Sequence, residues 1–287
     1  MALTSQDNNF FRNWRASQGI LIMTTKEETQ SLVKFATQIV LESGEIALKY
    51  FRSDLDVVNK KIGSKFDPLT LADTEIEEYL RGKINENYPD HSVIGEEAGE
   101  TKGSGSFKWL IDPIDGTRGF VAGSPMWGTL LGLMDGEECI VGLMNQPFVK
   151  ETFLGSEAGA FIINGEGKKR IHTSKKKQLS DAILCCTHLS MFHTGNALDR
   201  FVQVGEICRF SRFGTDCYGY GLLAHGFVDI VVESALKPFD IMPMIPIVEA
   251  AGGVISDWQG ASVENGGNVV ATANPMLHEQ ALKILSA

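Results

Sequence analysis

The densest chemical signal in the sequence is the run Asp112-Pro113-Ile114-Asp115-Gly116-Thr117, which follows the apolar stretch Trp109–Ile111. Two carboxylates three residues apart, on a turn that leaves a strand, can converge on one point, because Pro113 fixes the backbone and Gly116 permits a tight turn. Carboxylates without soft ligands suit a hard cation, Mg²⁺ or Mn²⁺, rather than zinc. If Gly116 and Thr117 open a helix, their amides can also bind a phosphate oxygen. The alternative interpretation is an Asp-rich turn whose side chains cap backbone amides.

Three further acidic segments are weaker signals when taken singly. The first is Gly95-Glu96-Glu97, which is equally typical of a solvated acidic loop. The second is Asp240, which is expected at a helix start, where an N-cap is a common explanation. The third is Asp73, which has the capping-box spacing from Thr70. Each segment therefore has a structural explanation beside a catalytic one.

Two amphipathic helices are predicted before the acidic motif. Thr25–Glu28 has the capping-box spacing and opens an apolar stripe that runs from Leu32 to Phe51. A second helix is predicted from about Asp73 to Asn87. The polar segment Lys60–Pro68 between them is broken by glycine and proline, which predicts a loop.

Short apolar runs separated by turn signals predict a β-meander in the middle of the chain. The dipeptides Asp135-Gly136 and Asn164-Gly165 are hairpin signals. We expect an antiparallel sheet flanked by the two N-terminal helices, and the basic run from Lys168 to Lys177 is predicted to be a solvated connector. The predicted strands are Trp109–Ile111, Thr129–Met134, Cys139–Met144, Phe153–Leu154 and Ala160–Ile163.

After about residue 180, strands and helices alternate, which favours a second, α/β lobe. We therefore predict an N-terminal, loosely held extension over residues 1–22, an α+β lobe with the metal motifs over 23–170 and a C-terminal α/β lobe over 171–287. The metal site is expected between the two lobes. The elements predicted in the last lobe are strand Ala182–Cys186, helix Ala197–Glu206, helix Asp216–Ala224, strand Val228–Val232, helix Ile241–Ala251, strand Val254–Ser256, strand Val269–Thr272 and helix Pro275–Leu285.

The composition excludes several classes of protein. The 287 residues are 43% hydrophobic and 22% charged, as is ordinary for a globular chain. The 36 acidic and 26 basic residues give a net charge of −10, which argues against a nucleic-acid binder. No apolar run approaches the roughly 18 residues that span a membrane. Five cysteines without a C-x-x-C pair predict neither a disulfide framework nor a zinc knuckle, and they favour a cytoplasmic protein.

Taken in order, these segments resemble the inositol monophosphatase family of Mg²⁺-dependent phosphomonoesterases. The matching residues are Asp73, the Gly95–Glu97 run, Asp112–Thr117, and Asp240 followed by Glu249–Gly253. The resemblance covers nearly everything from about residue 24 to the C-terminus. It implies a layered αβαβα sandwich, a small phosphorylated metabolite as substrate, and a homodimer.

Within the family, the chain looks most like the histidinol-phosphate phosphatase branch. The segments that carry this likeness are Asn145–Pro147, Phe213–Gly221 and Val232–Asp240. One departure is Phe239, where the family usually has tryptophan. The resemblance thus implies hydrolysis of L-histidinol phosphate in histidine biosynthesis. The alternative is an inositol-1-monophosphatase or a broad-specificity phosphatase of the same family.

The resemblance also implies the metal ligands. Glu96, Asp112 and the backbone carbonyl of Ile114 would hold the first of two or three Mg²⁺ ions, for which Mn²⁺ is a possible substitute. Asp112, Asp115 and Asp240 would hold a second ion, so Asp112 would bridge the pair.

The catalytic and substrate-binding residues follow from the same resemblance. Asp73 and Thr117 would orient the attacking water, with Glu96 as the third catalytic residue. Asp216 and Glu233 form an acidic pair outside the metal ligands, which suits a cationic leaving group such as histidinol better than a cyclitol. The alternative for Asp216 is a helix cap. The residues implied to contact substrate are Asp112, Asp115, Gly116, Thr117, Asp216, Glu233 and Asp240.

Overall fold

The computed structural model describes residues 26–54, 57–59 and 68–287. The predicted extension over residues 1–22, the capping residue Thr25 and the predicted loop up to Asp67 lie outside the described residues. The described helices are α1 (Lys26–Tyr50), α2 (Leu71–Asn87), α3 (Thr117–Val121), α4 (Ala197–Ile207), α5 (Asp216–Ala224), α6 (Pro238–Ile241), α7 (Met244–Ala250) and α8 (Pro275–Leu285). The described strands are β1 (Val57–Asn59), β2 (Pro68–Thr70), β3 (Ser92–Gly95), β4 (Gly99–Thr101), β5 (Phe107–Asp115), β6 (Gly128–Asp135), β7 (Glu138–Gln146), β8 (Glu151–Ser156), β9 (Gly159–Asn164), β10 (Gly167–Arg170), β11 (Ile183–Cys186), β12 (Phe210–Phe213), β13 (Ile230–Leu236), β14 (Val254–Asp257) and β15 (Gly267–Thr272).

The first sheet has eight strands in the order β10-β9-β8-β7-β6-β5-β3-β4. Its pairs are antiparallel except β3 and β5, which run parallel. The five predicted strands correspond to β5–β9, whose antiparallel pairing confirms that part of the prediction, but the unpredicted parallel pairing of β3 with β5 makes the sheet mixed. The reason is that β3 and β4 form a hairpin at the edge of the sheet, and the chain then returns on the other side of β3 as β5.

The basic run is also different from its prediction. Its first part, Gly167–Arg170, is not a connector but the edge strand β10, paired with β9 through the turn after Asn164. The ammonium of Lys168 and the guanidinium of Arg170 both lie over the ring of Phe161. Exposed basic residues on an edge strand oppose pairing with another sheet.

The second sheet has five strands in the order β12-β11-β13-β15-β14 and is mixed. Strand β12 was not predicted from the sequence. The single helix expected over Ile241–Ala251 is wrong, because the chain forms the short helices α6 and α7, which are separated at Met242 and Pro243. A proline in a helix interior lacks the N–H donor and clashes with the carbonyl four residues earlier.

Helices and sheets alternate in layers, as the sequence predicts. Helices α5 and α7 share one apolar core with both sheets, and helices α4 and α8 share a second core with the other face of the five-stranded sheet. On the other face of the eight-stranded sheet, Asn145 of β7 donates a hydrogen bond to the carbonyl of Val40 in α1 (2.9 Å). The protein thus has a layered α/β fold with two mixed sheets. The division into lobes at residues 170 and 171 stays a prediction.

The described helices differ in length or hydropathy from a membrane-spanning helix. None of those in residues 26–54 or 68–287 combines the length and the apolar character that crossing a membrane requires.

Candidate active site and metal centre

An irregularity at the end of β5 brings two of the predicted carboxylates together. In a regular strand, residues three apart point to opposite faces. Here Asp112 pairs with Leu130 of β6 while Asp115 pairs with Gly128, so β5 advances three residues against two on its partner. Such a bulge re-aims the side chains that follow it. The hydroxyl of Thr129 donates to the Pro113 carbonyl (2.8 Å) and holds the bulge in place.

The third carboxylate is that of Asp240, the last of the predicted acidic residues along the sequence. Asp240 lies in the first turn of α6, and its Oδ2 accepts a hydrogen bond from the Lys237 amide (2.8 Å). One oxygen each from Asp112, Asp115 and Asp240 lies within 4.8 Å of the other two. The structure therefore brings together the three residues predicted to hold the second ion.

Burial and like charges make this cluster unfavourable without a cation. Burial raises the pKa of Asp112 well above its ordinary value, and the nearby Glu96, Asp115, Asp240 and Asp73 raise it further. Its Oδ1 is buried and has no hydrogen-bond partner among the described residues. Burial also raises the pKa of Asp115 to about 6, against the lowering effect of hydrogen bonds from Cys217. Crowded, under-bonded carboxylates fit a hard divalent cation.

Asp240 follows the same pattern. Burial, and next the charge of Asp115, raise its pKa to about 7, although the Lys237 amide and ammonium oppose the shift. A bound cation would reverse these shifts, because it favours the charged form of every carboxylate around it.

Glu96 lies beside the three aspartates rather than within their group. It follows β3, and its Oε1 is 3.1 Å from the Lys237 ammonium. Its charge is the largest electrostatic cause, after burial, of the raised pKa of Asp112. The predicted carbonyl ligand of Ile114 accepts a hydrogen bond from the Thr117 hydroxyl (3.0 Å). Of the residues predicted for the first metal position, Glu96 and Asp112 are therefore close enough for the charge of one to affect the other.

Asp73 has the structural partners that its spacing predicts. Its Oδ2 accepts hydrogen bonds from the amide (2.8 Å) and the hydroxyl (2.6 Å) of Thr70, at the start of α2. It is also buried, and its charge contributes to the raised pKa of Asp112. The capping interpretation is therefore confirmed, and it does not exclude a place at the site.

Gly116 connects the metal motif to the residues proposed to bind the leaving group. Its φ is +83°, and a Cβ at this position would lie 2.9 Å from the Met126 carbonyl oxygen and 3.0 Å from the Cβ of Asp216. A larger residue would be strained and would displace Asp216. The next residue after Asp216, Cys217, donates its amide to Asp115 Oδ2 (2.7 Å). The start of α5 is therefore fixed against the metal cluster.

Asp216 and Glu233 differ in what surrounds them. Glu233 is buried and accepts hydrogen bonds from the Thr187 amide (3.1 Å), the Thr187 hydroxyl and the Tyr220 hydroxyl (3.1 Å). Asp216 is half-buried, and burial, followed by the charges of Asp115 and Glu233, raises its pKa to about 8. A cation beside Asp216 would favour its charged form. Of the two, Asp216 is the more exposed and has the less satisfied surroundings.

Thr187 is a residue that sequence reasoning missed. It follows β11, and its hydroxyl accepts the Asp216 amide (3.1 Å) while donating to Glu233. The Asp216 backbone has φ +44°, a conformation that non-glycine residues rarely adopt. A single threonine after a strand carries no motif, so no sequence signal could have found it. Lys237, by contrast, lies in a segment already singled out, but nothing there indicates its ion pair with Glu96.

Known proteins resemble this chain over nearly its whole length. The sequence model of the inositol monophosphatase family matches residues 28–287. The bifunctional phosphatase IMPL2, chloroplastic, of Arabidopsis thaliana is 39% identical over 254 residues, which is 85% of this chain and 71% of that protein. A histidinol-phosphatase of Streptomyces coelicolor is 35% identical over 79% of this chain and 87% of its own length.

A solved structure agrees with the fold. That of an inositol monophosphatase from Zymomonas mobilis superposes with a TM-score of 0.78 at 30% identity, covering 90% of this chain and 98% of that one.

Proposed function

Because the chain belongs to the inositol monophosphatase family, whose phosphatases act on phosphoric monoesters, we propose that it hydrolyses L-histidinol phosphate to L-histidinol and phosphate with Mg²⁺. The observation that carries the metal dependence is the group formed by Asp112, Asp115 and Asp240, with its buried, unbonded Asp112 oxygen. In this proposal, the protein acts in the cytoplasm as a homodimer in histidine biosynthesis. The five cysteines, all free thiols, support a reducing compartment.

Each residue at the site has a distinct part in this proposal. Asp112, Asp115 and Asp240 would hold one Mg²⁺, and Glu96 with Asp112 and the Ile114 carbonyl would hold another. When bound, these ions supply Lewis-acid stabilisation of the phosphoryl group and acidify water.

The remaining groups act on the water and the phosphate. Asp73 and Thr117 orient the attacking water, and the Asp73 carboxylate accepts its proton. The Gly116 and Thr117 amides, at the start of α3, would bind a phosphate oxygen. No covalent phospho-enzyme is required.

The choice of histidinol phosphate rests on Asp216. Burial, followed by the charges of Asp115 and Glu233, raises the pKa of its carboxyl, so a cationic partner would stabilise its charged form. Histidinol carries an amino group and an imidazole, whereas a cyclitol offers hydroxyls only. The likeness to proteins called histidinol-phosphatases supports this substrate.

The second candidate is an inositol-1-monophosphatase or a phosphatase of broad specificity. It is supported by the likeness to the inositol monophosphatase of Zymomonas mobilis and to proteins called inositol-1-monophosphatases.

A panel of phosphate esters tests the proposal. Phosphate release would be measured from histidinol phosphate, inositol 1-phosphate and a simple alkyl phosphate, each with Mg²⁺ and with excess chelator. We expect the largest kcat/KM for histidinol phosphate and no hydrolysis in chelator until Mg²⁺ is restored. Full activity in chelator would contradict the metal mechanism, and a preference for inositol 1-phosphate would favour the second candidate.

A further inference from the structure

The turn that carries Glu96 is held by a buried carboxylate on α2. Glu77 is only 1% exposed, and its two oxygens accept the amides of Glu97 (2.8 Å) and Ala98 (2.9 Å). On the other side, the amide of Glu96 itself donates to the carbonyl of Ile111 (3.1 Å), the residue before Asp112. The backbone at Glu96 is therefore fixed from both directions, by β5 and by Glu77.

Gly95 makes this contact possible. A Cβ at position 95 would lie 2.1 Å from Glu77 Oε1, well inside any allowed distance. The glycine is therefore required for the close approach of the Glu77 carboxylate and not for an unusual backbone angle.

Arg81 completes the arrangement, one helical turn after Glu77. Its Nε donates to Glu77 Oε1 (2.8 Å), and its guanidinium also donates to the carbonyl of Gly99 and the hydroxyl of Thr101 (3.1 Å). The pair thus holds the turn between β3 and β4 together with both ends of β4. A buried carboxylate costs little when a guanidinium and backbone amides satisfy it.

We propose that Glu77, supported by Arg81, is a positioning residue that sets the affinity of the site for its divalent cation by fixing Glu96. This rests on the proposed function, because it takes Glu96 as a metal ligand. Asp73 lies one turn before Glu77 on the same helix, so α2 presents the water-orienting carboxylate and the support for Glu96 together. Residues that orient metal ligands typically change metal affinity 10- to 100-fold when replaced.

The variant Glu77→Gln tests this, because it keeps the shape but turns one acceptor oxygen into an NH₂ group that faces a backbone N–H. Titration calorimetry of Mg²⁺, and of Mn²⁺, into the full chain without substrate is expected to show affinity about tenfold weaker than wild type. The kcat at saturating Mg²⁺ should change much less. If Glu77→Gln does not fold, Arg81→Lys replaces it in the test. A lysine loses the guanidinium hydrogen bonds to Gly99 and Thr101, and we expect it to weaken the same metal affinity a few-fold.

The matched control is Asp229→Asn, which removes another buried carboxylate that bonds a backbone amide, that of Ile183 (2.7 Å). A general loss of stability would affect both variants, whereas only Glu77→Gln should weaken metal binding. Unchanged affinity in Glu77→Gln, or equal weakening in Asp229→Asn, would overturn the inference. Failure of the wild-type chain to bind Mg²⁺ or to release phosphate would instead overturn the proposed function.

Discussion

Two aspartates of this protein are equally buried and have opposite surroundings. Asp229 is 0% exposed and accepts hydrogen bonds from the Ser174 hydroxyl, the Lys176 ammonium (2.8 Å) and the Ile183 amide (2.7 Å). Asp112 is 1% exposed, is surrounded by other carboxylates and leaves one oxygen without a partner among the described residues. The chain itself satisfies the first, whereas the second is proposed to be satisfied by a metal ion.

This difference separates a structural acid from a functional one better than burial does. A buried charge is tolerated when donors within the protein replace its hydration. Asp229 meets that condition and fixes the segment before β11 to the start of β13. Asp112 does not meet it, and the proposed metal ion would supply the missing interaction.

The largest expected effect is that of Asp112→Asn on catalysis. Because Asp112 is proposed to touch both metal ions, losing its charge should cost several kcal/mol of transition-state stabilisation, or on the order of a thousandfold in kcat. In excess chelator, the variant should be at least as stable as wild type, because like-charge repulsion is relieved. Steady-state kinetics and thermal unfolding measure the two effects.

The control for that change is Asp67→Asn, in the polar segment Lys60–Pro68 before α2. Near-normal turnover in Asp112→Asn together with loss of activity in Asp67→Asn would show that the site is assigned to the wrong residues.

The reverse behaviour is expected of Asp229→Asn. Removing a buried acceptor of charged and backbone donors should lower the free energy of unfolding by about 2–3 kcal/mol. Because Lys176 is partly exposed, its ammonium can turn to water, which keeps the loss at the low end of values for buried ion pairs. Denaturant unfolding measures the loss, and kcat should stay near wild type. A large fall in kcat would remove the distinction between the two aspartates.

The sequence could predict those parts of the site that are formed by residues adjacent to one another in the chain. Asp112–Thr117 follows the apolar run Trp109–Ile111 and forms a recognisable motif, so its place near the end of β5 was predictable. The bulge between Asp112 and Asp115 was not, because it depends on how β5 pairs with β6. Glu77 and Thr187 were missed for the same reason, since each acts on a segment far away in sequence.

Prediction of the fold from the sequence was limited in the same way. Helices with a strong apolar period were predicted to within about two residues, as with α2 and α8. The parallel pairing of β3 with β5 and the edge strands β10 and β12 were not predicted, because pairing partners are not encoded in local pattern.

A smaller effect is expected from Asp216→Ala, beside the metal cluster. This variant should change the preference between substrates without removing the metal site. The variant should still bind Mg²⁺, and its KM for histidinol phosphate should rise about ten- to a hundredfold more than that for inositol phosphate. The expected difference corresponds to a charge-assisted hydrogen bond of roughly 1.5–3 kcal/mol. Equal losses on both substrates would mean that Asp216 serves only to start α5.

The smallest effect concerns His278, a satisfied buried group that titrates. Its ring nitrogens lie 2.9 Å from the Ser256 hydroxyl and 3.2 Å from the Thr272 hydroxyl, and burial lowers its pKa to about 4. The unfolded chain, with a histidine pKa near 6.5, binds the proton first as the pH falls. Stability from neutral His278 is therefore present above about pH 6.5 and declines between 6.5 and 4.

Between pH 7 and 5.5 this linkage amounts to about 1 kcal/mol of unfolding free energy. His278→Gln keeps a polar side chain but cannot titrate, so the difference between wild type and variant should shrink by that amount over the same interval. Urea unfolding of both proteins at the two pH values measures it. A difference that stays constant with pH would show that His278 is protonated as readily in the folded protein as in the unfolded one. Burial would then not hold it neutral, and His278 would no longer resemble Asp229 as a buried group whose charge state the fold determines.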